Sequence, residues 1–130
     1  MQRRDCFGLH DIAKKVYRIA EENMEKAGEK MALPEDAFKF FVLNKTGEMD
    51  LYLCEYMDNE SFIYAAYLGM LGRKPEPRAL EKWMAYKDMP RFKFRKKMID
   101  NIMKSAEFRA KGVIVRNNIY SDDVNRNAIW

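Results

Sequence analysis

The sequence predicts an all-α fold, a single-domain bundle of about six helices with a short extended C-terminal tail. Apolar residues recur at helical spacing through most of the chain from Leu9 to Ala106, and Gly, Pro or the Asp58-Asn59 pair stands where one such stretch gives way to the next. Beyond Gly112 the pattern breaks: Val113-Ile114-Val115 is β-branched and too short to specify a helix. At 130 residues the chain is long enough for one core and short for two. Its 48% apolar content, with 10 Met, argues for a packed globule over disorder.

Leu9, Ile12, Ala13, Val16, Ile19, Ala20, Met24 and Ala27 make residues 9–27 a long amphipathic helix that Gly28 stops. Pro34 suits the first turn of a second helix, with Glu35 and Asp36 at its positive end and Ala37, Phe38, Phe41 and Val42 as its apolar face. The turn Asn44-Lys45-Thr46-Gly47 leads to a short third helix capped by Thr46 or Gly47, with Met49, Tyr52, Leu53, Tyr56 and Met57 as its stripe. Asp58-Asn59 interrupts and caps a fourth. Phe62, Ile63, Ala66, Tyr67, Met70 and Leu71 give that helix the clearest i, i+3/i+4, i+7 pattern in the chain.

Gly72 ends the fourth helix in the left-handed conformation. Pro75 and Pro77 then turn a corner, with Glu76 as a cap and Pro77 at the first position of the fifth helix. Leu80, Trp83, Met84 and the stem of Lys87 form its inner face. Pro90 starts a sixth helix whose Phe94, Met98, Ile99, Ile102, Met103 and Ala106 point inward. Ser105 to Lys111 makes a last turn or short helix that Gly112 closes. Asn117-Asn118 and Ser121-Asp122-Asp123 are turn chemistry. Residues 113–130 therefore read as an extended tail that wraps the body, with Ile119, Tyr120 and Trp130 as anchors, or pairs with a partner through Val113, Ile114, Val115, Tyr120 and Trp130; fraying in solution is the equal alternative.

Charge divides the domain. Residues 1–58 carry a net −3 and residues 59–130 a net +7, against +4 for the whole chain. The halves are suited to attract each other within a monomer or between subunits. Cations are densest at Lys87, Arg91, Lys93, Arg95, Lys96 and Lys97, interleaved with Phe92 and Phe94. Such a run suits phosphate contacts and base stacking, or is an ordinary basic helix face whose phenylalanines serve the core. No stretch approaches the roughly 20 apolar residues that cross a membrane, and the basic start lacks a following apolar run. The chain as written reads as cytoplasmic, or as extracellular if it belongs to a longer exported protein.

The materials of catalysis are scarce: three Ser, one Thr and one His. Cys6 and His10 lie four apart and would share a helix face, but nothing is clearly placed to orient the His. Cys6 and Cys54 match no zinc spacing and read as reduced thiols, Cys54 as core packing. Glu21-Glu22 and Asp122-Asp123 read as solvated carboxylates, and no phosphate-cradling Gly-rich loop occurs. No cofactor or metal is expected.

The run Phe62-Ile63-x-x-Ala66-Tyr67-x-x-Met70-Leu71-Gly72-Arg73-x-Pro75-Glu76-Pro77-x-Ala79-Leu80-x-x-Trp83, closed by Ser105-Ala106-Glu107-Phe108, resembles a bacterial family, the domain of unknown function 4214. That family's pattern is F-V-x-x-L-Y-x-x-L-L-G-R-x-P-D-P-x-G-L-x-x-W, then S-x-E-F. The resemblance covers about residues 59–110 and divides the chain into acidic N-terminal helices (1–58), a family-like module (59–112) and the tail (113–130). Glu76 stands where the family has Asp, and Ala79 where it has Gly. The resemblance implies a small helical module akin to phycobilisome linker domains, found alone, in secreted proteins and beside glycosyltransferases. Scaffolding or attachment follows from that company, with a glycan-associated accessory role as a further alternative.

Within that run Arg73 reads as a fork to Glu107 or to backbone carbonyls at the helix end, against an anion contact. Trp83 reads as core, against a sugar-stacking surface. The expected function is a non-enzymatic interaction or scaffolding module that binds itself or a protein partner, without a membrane. A nucleic-acid or polyanion binder using the Lys87–Lys97 face is the alternative.

Overall fold

The computed structural model describes residues 2–28 and 33–121, with side chains from Asp11 onward. Six helices account for most of it: α1 (Gln2–Lys26), α2 (Glu35–Leu43), α3 (Asn59–Leu71), α4 (Pro77–Met84), α5 (Arg91–Met103) and α6 (Ala106–Lys111). Two three-residue strands, β1 (Glu48–Asp50) and β2 (Ile114–Arg116), form a small parallel sheet. The predicted all-α bundle is the fold.

Helix α3 is the axis of the bundle and touches α2, β1, α4, α5 and α6. Its pattern suggested one apolar face, yet Ser61, Phe62, Ile63, Ala65, Ala66, Tyr67, Gly69, Met70 and Leu71 are all buried. A helix covered around most of its circumference is expected to be largely apolar, and the small residues Ala65, Ala66 and Gly69 let neighbours approach where a stripe would have stopped; Glu60, Tyr64 and Leu68 keep one line toward solvent. The Asp58 carboxylate caps its start by accepting from Ser61 N at 2.8 Å. Gly72, at φ 70°, ends it by donating to Leu68 O. Asn59 staples its first turn to the α4–α5 loop, donating to Lys87 O at 2.7 Å and Met89 O at 3.1 Å.

The expected third helix does not form. Residues 48–50 are strand β1 and residues 51–54 a 3₁₀ turn, so the stripe Met49, Tyr52, Leu53, Tyr56, Met57 is split. Met49, Leu51, Cys54 and Met57 are buried while Tyr52 and Tyr56 face solvent. The cause lies far along the chain: β2 pairs with β1 in the register Glu48↔Ile114, Met49↔Val115, Asp50↔Arg116. A helix here would forfeit those bonds. The Asn44 side chain occupies the other edge of β1, donating to Glu48 O at 2.7 Å and accepting from Asp50 N at 3.0 Å, as a third strand would. Asp50 then caps the 3₁₀ turn by accepting from Tyr52 N.

Other expected faces are also redrawn. On α2 it is Ala37 and Phe40 that are buried; Phe41 and Val42 are exposed because the core lies on the Phe40 side. On α5, Phe94, Met98, Ile99 and Ile102 point inward as expected, but Met103 is exposed at its last position, and Ala106, expected on the same helix, is exposed at the start of the separate α6. Helix α4 ends at Met84, so Lys87 lies in the following turn and outside the α4 face. The tail through Ser121 belongs to the body, anchored by Tyr120, which is buried and lies 5.2 Å from the Phe92 ring centroid. Ile119 is exposed; Trp130 falls outside the described residues.

Helix α1 stands apart from this core. Ala13 and Tyr17 are buried against α2, with Tyr17 Oη donating to Leu33 O at 2.7 Å and its ring 5.6 Å from Phe38. Ile12, Val16 and Ile19, expected to share that buried face, are exposed, because α2 covers only the side bearing Ala13 and Tyr17.

Met49 reaches its buried place only because residue 69 has no side chain: a Cβ there would lie 2.1 Å from Met49 Sδ and 3.0 Å from Phe40 Cζ. Met49 and Phe40 are themselves buried, so each must shift against packed neighbours to admit the new methyl group. Overpacking of this kind costs about 1–3 kcal/mol, against about 1 kcal/mol gained by Ala over Gly inside a helix. Gly69→Ala is therefore expected to lower stability by about 1 kcal/mol, read as a lower urea midpoint at unchanged m-value.

Candidate functional site

The basic run on α5 does not form one face. Arg95 is 0% exposed. Its Nη1 donates to Cys54 O at 2.6 Å and its Nη2 to Met57 O, and its guanidinium lies 4.5 Å from the Phe62 ring centroid. Burial depresses its pKa, countered by its contact with Tyr120. Arg95 is therefore removed from the polyanion-binding set: three and four residues before the buried Met98 and Ile99, it falls on the inner side of α5. Its neighbours are partly engaged as well. Arg91 donates to Glu55 O at 2.7 Å. Lys96 pairs with Asp100 at 3.1 Å and donates to Tyr120 O. Lys97 stands 5.1 Å over the Tyr86 ring. Lys87 and Lys93 are exposed.

The corner after α3 is built around Arg73. Its Nε and Nη2 donate to the two carboxylate oxygens of Glu107 at 2.7 and 2.8 Å, and Nη1 donates to Glu76 and to Lys74 O. The fork closes on α6, as the structural reading expected, and the Glu107 bonds raise the guanidinium's pKa. Glu76 sits at the N-cap position of α4 but makes no capping bond, since its carboxylate turns to Arg73. Pro75 is buried and Pro77 opens α4. Ser105 caps α6, its Oγ accepting from Phe108 N at 3.1 Å. Phe108 packs at the edge of the core cluster.

Trp83 is 1% exposed, its Nε1 donating to Tyr67 Oη at 3.3 Å and its ring edge-on to Phe94. It fills the core with Phe62 and Tyr67 and presents no surface for a sugar. Cys54 is a free, buried thiol whose pKa burial pushes up to about 12, leaving it protonated and inert at neutral pH. The backbone of α1 runs through Cys6 and His10, whose side chains lie outside the described ones. Among the described residues no three His, Cys, Asp or Glu side chains gather to hold a metal ion, and no helix is long and apolar enough to cross a membrane.

In the tail, Val113 and Val115 pack on the core while Ile114 is exposed. Arg116 pairs with Glu48 across the sheet, so the basic and acidic halves meet there, and this bond holds the Glu48 carboxyl below its usual pKa. A cleft of about 570 Å³ opens beside the sheet, lined by Phe40, Phe41, Leu68 and Val113 together with Glu48 and Lys111. The largest feature missed from sequence is the exposed ridge Ile12, Val16, Ile19 on α1. Its signal was present as a second apolar line, at 3–4 spacing, beside the one carrying Ala13 and Tyr17.

Comparison of the chain with protein-family models, curated proteins and solved structures finds no match in any of the three.

Two expectations follow. Arg95→Met preserves apolar bulk but deprives two buried carbonyls of their charged donor, and unsatisfied groups of this kind cost about 1–3 kcal/mol each. A loss of about 2–3 kcal/mol in denaturant unfolding is expected, with Arg95→Lys failing to restore it because an ammonium lacks the planar fork. The second concerns acid. The bond to Arg73 lowers the Glu107 carboxyl pKa in the folded state. Its contribution is thus complete above the unfolded carboxylate pKa of about 4.3 and is lost as pH falls through the lower folded value. Glu107→Gln should lower Tm at pH 7 and flatten the decline of Tm in acid; a variant curve parallel to wild type would count against this pairing.

Proposed function

We propose that the chain is a non-enzymatic helical interaction module whose work is to associate with itself or with a protein partner. The observation that carries this reading is α1, a helix of 25 residues that presents Ile12, Val16 and Ile19 to solvent at 57%, 47% and 59% exposure. Scattered exposed apolar residues are ordinary; three on one line of one helix are what a partner surface requires. The tail supports a change of emphasis. Val113, Val115 and Tyr120 are committed to the body, which leaves α1 as the better partner-binding element. The resemblance of residues 59–110 to the domain of unknown function 4214 is kept as part of this proposal and points toward scaffolding.

The polyanion reading retains Lys87, Arg91, Lys93 and Lys97 with Phe92, and Tyr56 at 87% exposure in the segment that Arg91 contacts. It loses Arg95, and Lys96 is shared with Asp100.

Two measurements separate the readings. Under the interaction reading the full chain shows concentration-dependent sedimentation or retains a defined protein partner, and a labelled single-stranded DNA shows no strong binding at low salt. DNA binding that falls tenfold or more between roughly 50 and 200 mM salt, by a chain that stays monomeric, would replace it with the polyanion reading.

A further inference from the structure

We infer that two copies of this chain associate through the outer face of α1, antiparallel, with the two-fold axis passing between Val16 and Ile19. The inference rests on the interaction reading and specifies its partner as a second copy. Helix α1 would extend about 37 Å at 1.5 Å per residue, while α2, its main contact, has 9 residues. Ala13 and Tyr17, with half-buried Ala20 and Met24, define the line toward α2. Ile12, Val16 and Ile19 lie about 100° around the helix from it. Their 3–4 spacing is that of a coiled-coil seam, which is complementary to another seam of its own kind. Leu9 continues the same line in the sequence, and Asn23 ends it.

Charge selects the occupant and its direction. On the side of the seam away from α2 stand Lys15 and Glu22, seven residues apart and both exposed. On the other side are Ala13 and Ala20. In a parallel pair each charged residue would lie across from an alanine flank and gain nothing. In an antiparallel pair with Val16 of each copy against Ile19 of the other, Lys15 of each copy faces Glu22 of the other. Two symmetric ion pairs then flank the apolar contact, and the assembly closes as a dimer. A membrane surface would call for a cationic flank, which Asp11 and Glu22 deny. Nucleic acid has no use for an aliphatic ridge of mixed charge. With three described apolar residues on each side the seam is short, and the dimer is expected to be weak, with dissociation in the micromolar range or above.

The test is sedimentation velocity of the full chain over a concentration series reaching several hundred micromolar, with circular dichroism and thermal melting as fold controls. Wild type is expected to pass from monomer to dimer. Val16→Glu should weaken dimerisation at least tenfold without lowering Tm, since the side chain is outside the core. Lys15→Glu and Glu22→Lys should each weaken it alone, whereas their equimolar mixture should recover a heterodimer, because each like-charge pair becomes an opposite-charge pair. A wild-type dimer unaffected by Val16→Glu would overturn the assignment to α1 while leaving the interaction reading intact. Failure of the mixture to recover would overturn the antiparallel arrangement. A wild type that remains monomeric throughout would overturn this inference and the self-association branch of the reading together.

Discussion

The burial of the Arg95 guanidinium is the constraint on which much of the remaining architecture depends. A cation withdrawn from water needs fixed acceptors, and here they are the carbonyls of Cys54 and Met57. Those carbonyls are available because residues 51–57 leave the helical path after a single 3₁₀ turn. Phe62 offers the face of its ring to the same guanidinium, which locks α5 against the start of α3. Tyr120 closes the site from the tail, its ring against Phe92 and its carbonyl on Lys96. One buried side chain thus joins the central helix, the irregular segment, the basic helix and the C-terminal strand region. It also explains why a run of cations on α5 is not a continuous cationic surface.

The second junction is of a different kind. Arg73 binds Glu107 with both arms of its fork and reaches Glu76 as well, but it does so partly in solvent. Exposed pairs contribute modestly, and the bidentate geometry matters more for orientation than for stability. It sets the angle between α3, the proline corner and α6, while Trp83, Tyr67 and Phe94 supply the apolar contact beneath. Gly69 completes the arrangement from the opposite side of α3 by admitting Met49 and Phe40. The helix with the clearest periodicity is therefore buried around most of its circumference, with the line Glu60, Tyr64 and Leu68 left toward solvent.

With most of α3 enclosed and the tail through Ser121 folded onto the body, the described residues leave few apolar side chains in a row. Among the described residues, Ile12, Val16 and Ile19 remain on one line of α1, whose inner side is covered by α2 and whose outer side is not. Conformational economy argues the same way. A 25-residue helix docked along part of its length holds its outer ridge rigidly, so little ordering entropy opposes association there. The sheet edge, often a site of unwanted pairing, is closed on the β1 side by the Asn44 amide.

Local chemistry sufficed for part of this. The helix boundaries at Asp58, Gly72, Pro77, Pro90, Ser105 and Gly112, the Arg73–Glu107 fork and the burial of Trp83 and Cys54 were all readable, because caps, stops and large aromatic residues act over a few positions or impose one strong preference. The fate of residues 48–57 was not readable, since their alternative partner lies more than sixty residues away at Ile114–Arg116. Nor was the placement of Arg95, because an arginine among lysines carries no mark of burial until carbonyls converge on it. The two apolar lines of α1 were visible as one broad face, and only the position of α2 decided which line was covered. The sequence by itself determined where most helices are capped or stopped and that they pack as a bundle, through short-range backbone and burial preferences. Which faces turn inward, which charge is buried and which ridge is left for a partner were decided by tertiary contacts, since each depends on groups distant in the chain.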